Sequence, residues 1–251
     1  MYKVDQQTGL RYFDQTKVYL VAKTVATEEI QEFFDDFRLS LVGRDDRDQP
    51  TFLPELSGRI CYMSFGEKAK SRTNREYLEN ILQQKHYSVL RPLSYTVIVR
   101  GCSRGFTHEQ VRHHFLGISQ HSTRYCDEHC FVLPVHIRGN IVATRVALDA
   151  YKKAWDAYEW FYNQQVREIS ERHPEMSRVA LRKAARGTAR SFLPIGLEAP
   201  IVLSGNVEAW REVFRKRIHE AADIEIRGIA RKIKKKIQEE VPNCFQDMED
   251  L

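Results

Sequence analysis

No apolar run in this chain of 251 residues reaches the roughly 20 residues that a membrane-spanning helix needs, and no membrane partner is expected. The opening stretch, MYKVDQQTGLRYFDQ, lacks the apolar segment that a secretory signal carries. Internal repeats and low-complexity linkers are absent, so residues 1–251 read as a single domain. Both glycine-rich phosphate fingerprints, G-x-x-x-x-G-K-S/T and G-x-G-x-x-G, are missing too. Any bound nucleotide must therefore be held by side chains. The five cysteines (Cys61, Cys102, Cys126, Cys130, Cys244) are odd in number and at no framework spacing, which predicts a reducing, cytoplasmic setting. CDEHC, residues 126–130, has neither Cys-x-x-Cys spacing nor a second pair at a convincing distance, so no metal site is expected. His121 and His129 neighbour Cys126 in sequence, but nothing in the sequence orients a nucleophilic pair.

What is present is an ordinary globular composition, 42% hydrophobic and 29% charged, with a formal net charge of +5. That charge is too mild to indicate a nucleic-acid binder, and none is expected as a partner. Part of it sits in RKIKKKIQEE, residues 231–240, where Ile229, Ile233 and Ile237 recur every four residues. The periodicity predicts an amphipathic helix with a solvated basic face on which Lys234 is exposed. Contact with a nucleic-acid backbone is the other reading of this run.

Residues 28–39, 73–84, 150–173 and 177–190 carry helical spacing, with Thr73 or Asn74 and Ser177 as caps. Trp155, Tyr158 and Tyr162 form an aromatic stripe that reads as packing. VGRDDRDQP, residues 42–50, reads as a polar loop. Residues 94–101 and 199–205 read as strands, and Asn206 as the cap of the helix that follows.

The stretch HEQVRHHFLGISQHSTRYC, residues 108–126, is the most telling. Thr107-x-x-Gln110 predicts a capping box that opens a helix just after a strand. Beyond Glu109 the stretch gathers Arg112, three histidines, Ser122 and Arg124 without one lysine or acidic residue until Asp127. A core helix does not collect so many donors, because each needs a partner once buried. The segment reads as a surface that holds something anionic, with Ser122 supplying a hydroxyl and Arg124 a fork that matches a phosphate. Further along, Trp210, Val213 and Phe214 set an apolar stripe on which Arg217 also falls. An arginine there needs either an anionic or carbonyl partner from a ligand or a structural ion pair.

These residues resemble the flavin-dependent thymidylate synthases. The signature of that family, Arg-His-Arg, seven residues, then Ser, is here Arg112-His113-His114, seven residues, Ser122. Further blocks follow in family order over about residues 15–247: GRICYMSF (58–65), HYSVL (86–90), ARSFLP (189–194), SGNVEAWREVF (204–214) and RIHEAADIEIR (217–227). The resemblance implies an α/β fold, a small mixed sheet flanked by helices, assembled as a homotetramer. It implies methylation of uracil C5 in a pyrimidine nucleoside monophosphate, dUMP or UMP. Methylenetetrahydrofolate gives the carbon and FAD, reduced by NADPH, the hydride. Carried over by position, it puts Glu109, Gln110, Val111, Arg112, Gln120, His121, Ser122, Thr123 and Arg124 in the nucleotide pocket and Arg190 on its phosphate. Arg217 faces the uracil as the catalytic cation. Ser88, Arg112, His113, His114, Gln120, Asn206, Val207, Glu208 and Glu212 fall on the FAD side.

The departures from the family pattern fall almost entirely on the flavin and folate side. His114 stands where the signature has Arg, Glu208 where a flavin-contacting arginine is usual, and Glu212 where His or Asn is usual. Arg91-Pro92 replaces Glu-His, and Ala221 replaces a histidine. A carboxylate beside the FAD diphosphate costs affinity by like-charge repulsion, so weak FAD binding is expected. A C5-hydroxymethylase on the same fold, and a non-catalytic nucleotide- or RNA-binding relative that has lost FAD, are the competing readings.

Overall fold

The structure, a computed structural model, describes residues 2–36, 51–65, 72–126 and 130–248. The loop read at 42–50, Phe37–Leu39 of the first predicted helix, and His129 lie outside them. Strands β1 (Lys3–Val4), β2 (Arg11–Phe13) and β6 (Phe131–Val132) form a mixed sheet. β1 and β2 are antiparallel, whereas β2 and β6 are parallel with Tyr12 opposite Phe131. A four-stranded sheet runs in the order β3 (Lys17–Lys23), β4 (Ser94–Arg100), β7 (Ile201–Asn206), β5 (Gly117–Gln120). The helices are α1 (Glu29–Asp36), α2 (Phe52–Tyr62), α3 (Asn74–Gln83), α4 (Arg104–Gln110), α5 (Ile141–Arg172), α6 (Arg178–Ala189), α7 (Val207–Arg217) and α8 (Ile224–Glu240). The fold class is the expected α/β.

Contacts divide the chain into two compact units whose segments alternate in sequence. The first comprises Met1–Lys17, Val99–Arg112 and Ile118–Val202. Its core gathers Leu10, Phe131 and Leu197 with Tyr151 and Trp155 of α5. Phe131 and Tyr151 stack at 4.8 Å, and the Tyr151 hydroxyl donates to the Val132 carbonyl at 2.9 Å. Arg145 donates to both Asp5 oxygens, at 2.6 and 3.0 Å, which holds that carboxyl well below the usual range. Gly101, at φ +66°, turns β4 into α4, and a Cβ there would lie 2.5 Å from the Gln15 carbonyl, so only glycine fits.

The second unit comprises Val18–Ile98, His113–Gly117 and Leu203–Leu251. Trp210 of α7 is fully buried and its Nε1–H donates to the Tyr95 carbonyl at 3.2 Å. Buried Glu55 of α2 accepts from Arg59 at 2.7 Å and from Asn74 at 2.9 Å. These paired groups meet the requirement that buried charge be compensated.

Local chemistry explains where the elements start. Thr73 caps α3 with a complete capping box to Glu76, Ser177 caps α6 and Asn206 caps α7, as the sequence predicts. The expected box at Thr107 is a correction. Ser103 caps α4 by accepting from Phe106 N–H, so the helix opens earlier, and Thr107 instead donates to the Arg104 carbonyl. The long helix begins at Ile141, nine residues before the predicted 150, because Asn140 caps it. Lys234 is also corrected. It is buried, not exposed, and its ammonium donates to the Met248 carbonyl.

Candidate functional site

In the first unit, α4 places Arg104, Thr107, His108 and Val111 on one face, spaced i, i+3, i+4, i+7. That face lines a cavity of about 560 Å³, completed by Gln120, Thr123, Arg190, Ser191 and Leu193–Ile195. The volume is within the range of small-molecule sites, roughly 300–1,000 Å³. Arg104 and Arg190 both line it, and among the described residues neither has a carboxylate partner. Burial, then the Arg190 charge, lowers the pKa of Arg104. Two cations that face one cavity without a counter-ion make a site suited to an anion.

The helix α6 extends this surface. Lys183, Gly187 and Arg190 share one of its faces, at i, i+4 and i+7. Arg124 lies across the gap that Gly187 leaves, with its Nε 3.9 Å from where a Cβ would stand. Lys183 sits over the Tyr125 ring at 4.7 Å, and its hydrogen bond lowers the Tyr125 pKa. A row of cations, Lys183, Arg124 and Arg190, therefore follows the helix toward the cavity. The turn that carries Arg124 is tied locally, because its backbone N–H donates to the Ser122 hydroxyl at 3.3 Å.

The other predicted residues of this unit are placed as follows. Val111, Gln120 and Thr123 line the cavity. Gln110 is buried with its Nε2 unpartnered, Glu109 is half-buried, and Arg112 is exposed. His121 lines a different cavity of about 240 Å³, with Arg100, Cys130 and Glu198. Burial pushes the Cys130 thiol up to about 12, which suits an inert cysteine. Sequence reasoning missed Arg104, His108, Tyr125 and Lys183. For Arg104 and His108 the signal was available in their one-face spacing with Thr107 and Val111.

In the second unit, Arg217 Nε–H donates to His113 Nε2 at 2.9 Å. His113 is buried, at 7% exposure. Burial first, then the charges of Arg217 and Lys216, lowers its pKa to about 4. The imidazole is thus neutral near pH 7 with its proton on Nδ1, and it serves Arg217 as an acceptor. Arg217 itself is half-buried at the end of α7. The fully buried arginine of that helix is Arg211, which is bound to Asp247 at 2.5 and 2.8 Å.

A second cavity, of about 330 Å³, is lined by Arg91, Phe115, Asn206, Glu208, Ala209 and Glu212. Asn206 Oδ1 accepts from Ala209 N–H at 2.9 Å to start α7. Val207 is fully buried, and its N–H donates to the Leu93 carbonyl at 2.9 Å. Ser88 and His114 are exposed. Arg91 donates to both Glu208 oxygens, and Lys216 pairs with Glu212. Two departures that the sequence shows separately, Arg91 and Glu208, are one ion pair in the fold. These residues suit the ring system of a flavin, since Phe115 offers a ring that is 75% exposed. They suit its diphosphate less well, because the cation at hand is already engaged by a carboxylate.

Among the described residues no group of three His, Cys, Asp or Glu could hold a metal, no helix is long and apolar enough to cross a membrane, and all five cysteines are free. A family model described as thymidylate synthase complementing protein matches residues 45–243. Flavin-dependent thymidylate synthases from Mycolicibacterium vanbaalenii and Mycobacteroides abscessus are 34% and 35% identical over 208 residues, covering 81% of this chain and 82% of each relative. Another, from Corynebacterium aurimucosum, is 37% identical over 199 residues, 78% of both chains. The crystal structure of a UMP/dUMP methylase, PolB, from Streptomyces cacaoi, bound with 5-Br UMP, is similar at a TM-score of 0.65 and 16% identity over 94% of each chain. At that identity the likeness is one of fold. The chain belongs to the thymidylate synthase complementing protein family, that of the flavin-dependent thymidylate synthases.

Proposed function

We propose that the protein is a methyltransferase acting on uracil C5 of a pyrimidine nucleoside monophosphate, dUMP or UMP. The carbon comes from methylenetetrahydrofolate, and bound FAD, reduced by NADPH, supplies the hydride. The observation that carries this reading is the unpaired Arg104–Arg190 cavity with its row of cations along α6, in a chain of this family. A phosphate brings about two negative charges to that surface, and arginine forks bind it bidentately. Arg104, Arg124, Arg190 and Lys183 are assigned to the phosphate, and Gln120 and Thr123 to the nucleoside. Arg217, held by His113, is assigned to the uracil, where a fixed cation stabilises charge as N3 loses its proton. The working assembly is a cytoplasmic homotetramer.

The test is direct. The protein is incubated with FAD, NADPH and methylenetetrahydrofolate, and with dUMP or UMP in turn, and the products are weighed by mass spectrometry. The 5-methyl nucleotide is expected. A 5-hydroxymethyl product would establish the hydroxymethylase instead. Unchanged nucleotide in both reactions, with flavin demonstrably bound, would overturn the methylase reading. Arg217→Ala is expected to stay folded, with a lowered melting temperature because the buried His113 Nε2 loses its donor, and to lose turnover.

A further inference from the structure

The Arg91–Glu208 pair lies at the wall of the second cavity, and both partners face the same space as Phe115 and Asn206. Glu208 stands in the first turn of α7, where the helix dipole favours a negative charge. Its carboxylate engages the Arg91 fork through Nε and Nη2. The Arg91 side chain is 62% exposed and that of Glu208 32%. An ion pair this exposed contributes little to stability, so separating it is easy. A phosphate competes for the same fork with more charge and the same bidentate geometry. The two partners are far apart in sequence, at positions 91 and 208, and neither has another ion-pair partner among the described residues.

We propose that this pair is a latch on the cavity. A phosphate-bearing ligand engages Arg91 only by displacing the Glu208 carboxylate, so Glu208 acts as an internal competitor that keeps such a ligand loosely held. The ligand class is a flavin nucleotide, whose ring meets Phe115 and whose phosphate meets Arg91, and the inference rests on the flavin reading above. It revises the expectation drawn from the sequence. Glu208 alone predicts simple repulsion, whereas the paired geometry keeps a cation in the cavity and makes its availability conditional.

The experiment titrates FAD and riboflavin, which lacks phosphate, into the whole protein and follows flavin fluorescence. Four proteins are compared: the unaltered chain, Glu208→Gln, Arg91→Gln and the double variant, each checked by circular dichroism for an unchanged fold. Glu208→Gln is expected to tighten FAD about tenfold, through loss of the competitor and of its charge, and to leave riboflavin unchanged. Arg91→Gln is expected to weaken FAD, and removal of Glu208 on top of it to gain back much less than the tenfold seen with Arg91 present, since only the charge repulsion and no competition is then relieved. If Glu208→Gln binds FAD no more tightly, or tightens riboflavin equally, the latch is overturned while the flavin reading stands. If neither flavin binds any of the four proteins, both are overturned.

Discussion

His113 shows how one contact couples stability to pH. Its Nε2 accepts from Arg217 in a buried setting, so protonation would both break that hydrogen bond and bury a charge beside a cation. The folded pKa of about 4 lies below the ordinary 6.5, so the unfolded chain binds the extra proton first. Stability is therefore expected to fall as pH drops through 6.5 and to level off below about 4, a loss of about 3 kcal/mol from this group. Melting temperatures measured from pH 7 to 4 on the unaltered chain and on His113→Gln check it. The variant should lose this part of the acid slope, and an identical slope would remove His113 as its cause. At this scale Arg217 was legible as an inward residue because it falls on the α7 stripe. Arg211 was not, because its partner Asp247 lies beyond any local period. Arg91 and Glu208 were each visible as departures, but their pairing needs the fold.

Among the elements, α8 carries the sharpest lesson. Its isoleucine stripe, Ile229, Ile233 and Ile237, is buried as the period demands. Lys234 adjoins Ile233 and is drawn inward by the Met248 carbonyl of the turn Gln246–Met248, a partner that amphipathic spacing does not reveal. Lys234→Ala is expected to destabilise the protein by about 1–3 kcal/mol, as a buried carbonyl loses its donor. Lys235→Ala, on the exposed face, is expected to be silent. Denaturant melts of the two variants decide this, and equal melts would mean that the Lys234 bond carries no net stability. Capped helices were readable because a cap is a local hydrogen bond, as at Thr73, Ser177 and Asn206. The short strands were not, since the pairing of β2 with β6 sets Tyr12 opposite Phe131, more than a hundred residues away. The strand β5 sits inside the histidine-rich stretch, where polar composition hid it.

At the scale of the whole molecule, α5 is 32 residues long and buries only Leu148 and Tyr158. It leaves Ile141, Val142, Val146 and Trp160 exposed, more apolar surface than one helix in water usually shows. The proposed homotetramer accounts for it if copies pack on this helix. Light scattering coupled to gel filtration should give four chain masses, and Val146→Glu should lower that number. A monomeric unaltered chain would contradict the assembly. The family and the α/β class were legible from the blocks spread along the chain. The polar and cationic make-up of part of the site, through Gln120, Thr123 and Arg124, was legible from the donors after Glu109. The cavity was not, because the loop Arg190–Ile195 closes it from far along the chain.

The account depends above all on a phosphate held by Arg104 and Arg190. Calorimetric titration of UMP, dUMP and uridine into the unaltered chain and into the Arg104→Gln, Arg190→Gln double variant tests it most directly. Charge-assisted hydrogen bonds contribute about 1.5–3 kcal/mol each, so the double variant is expected to lose roughly a hundredfold or more in affinity for the preferred monophosphate, while its melting temperature stays put. Uridine is expected to bind weakly to both proteins. Undiminished binding of the monophosphate by the double variant would contradict the account.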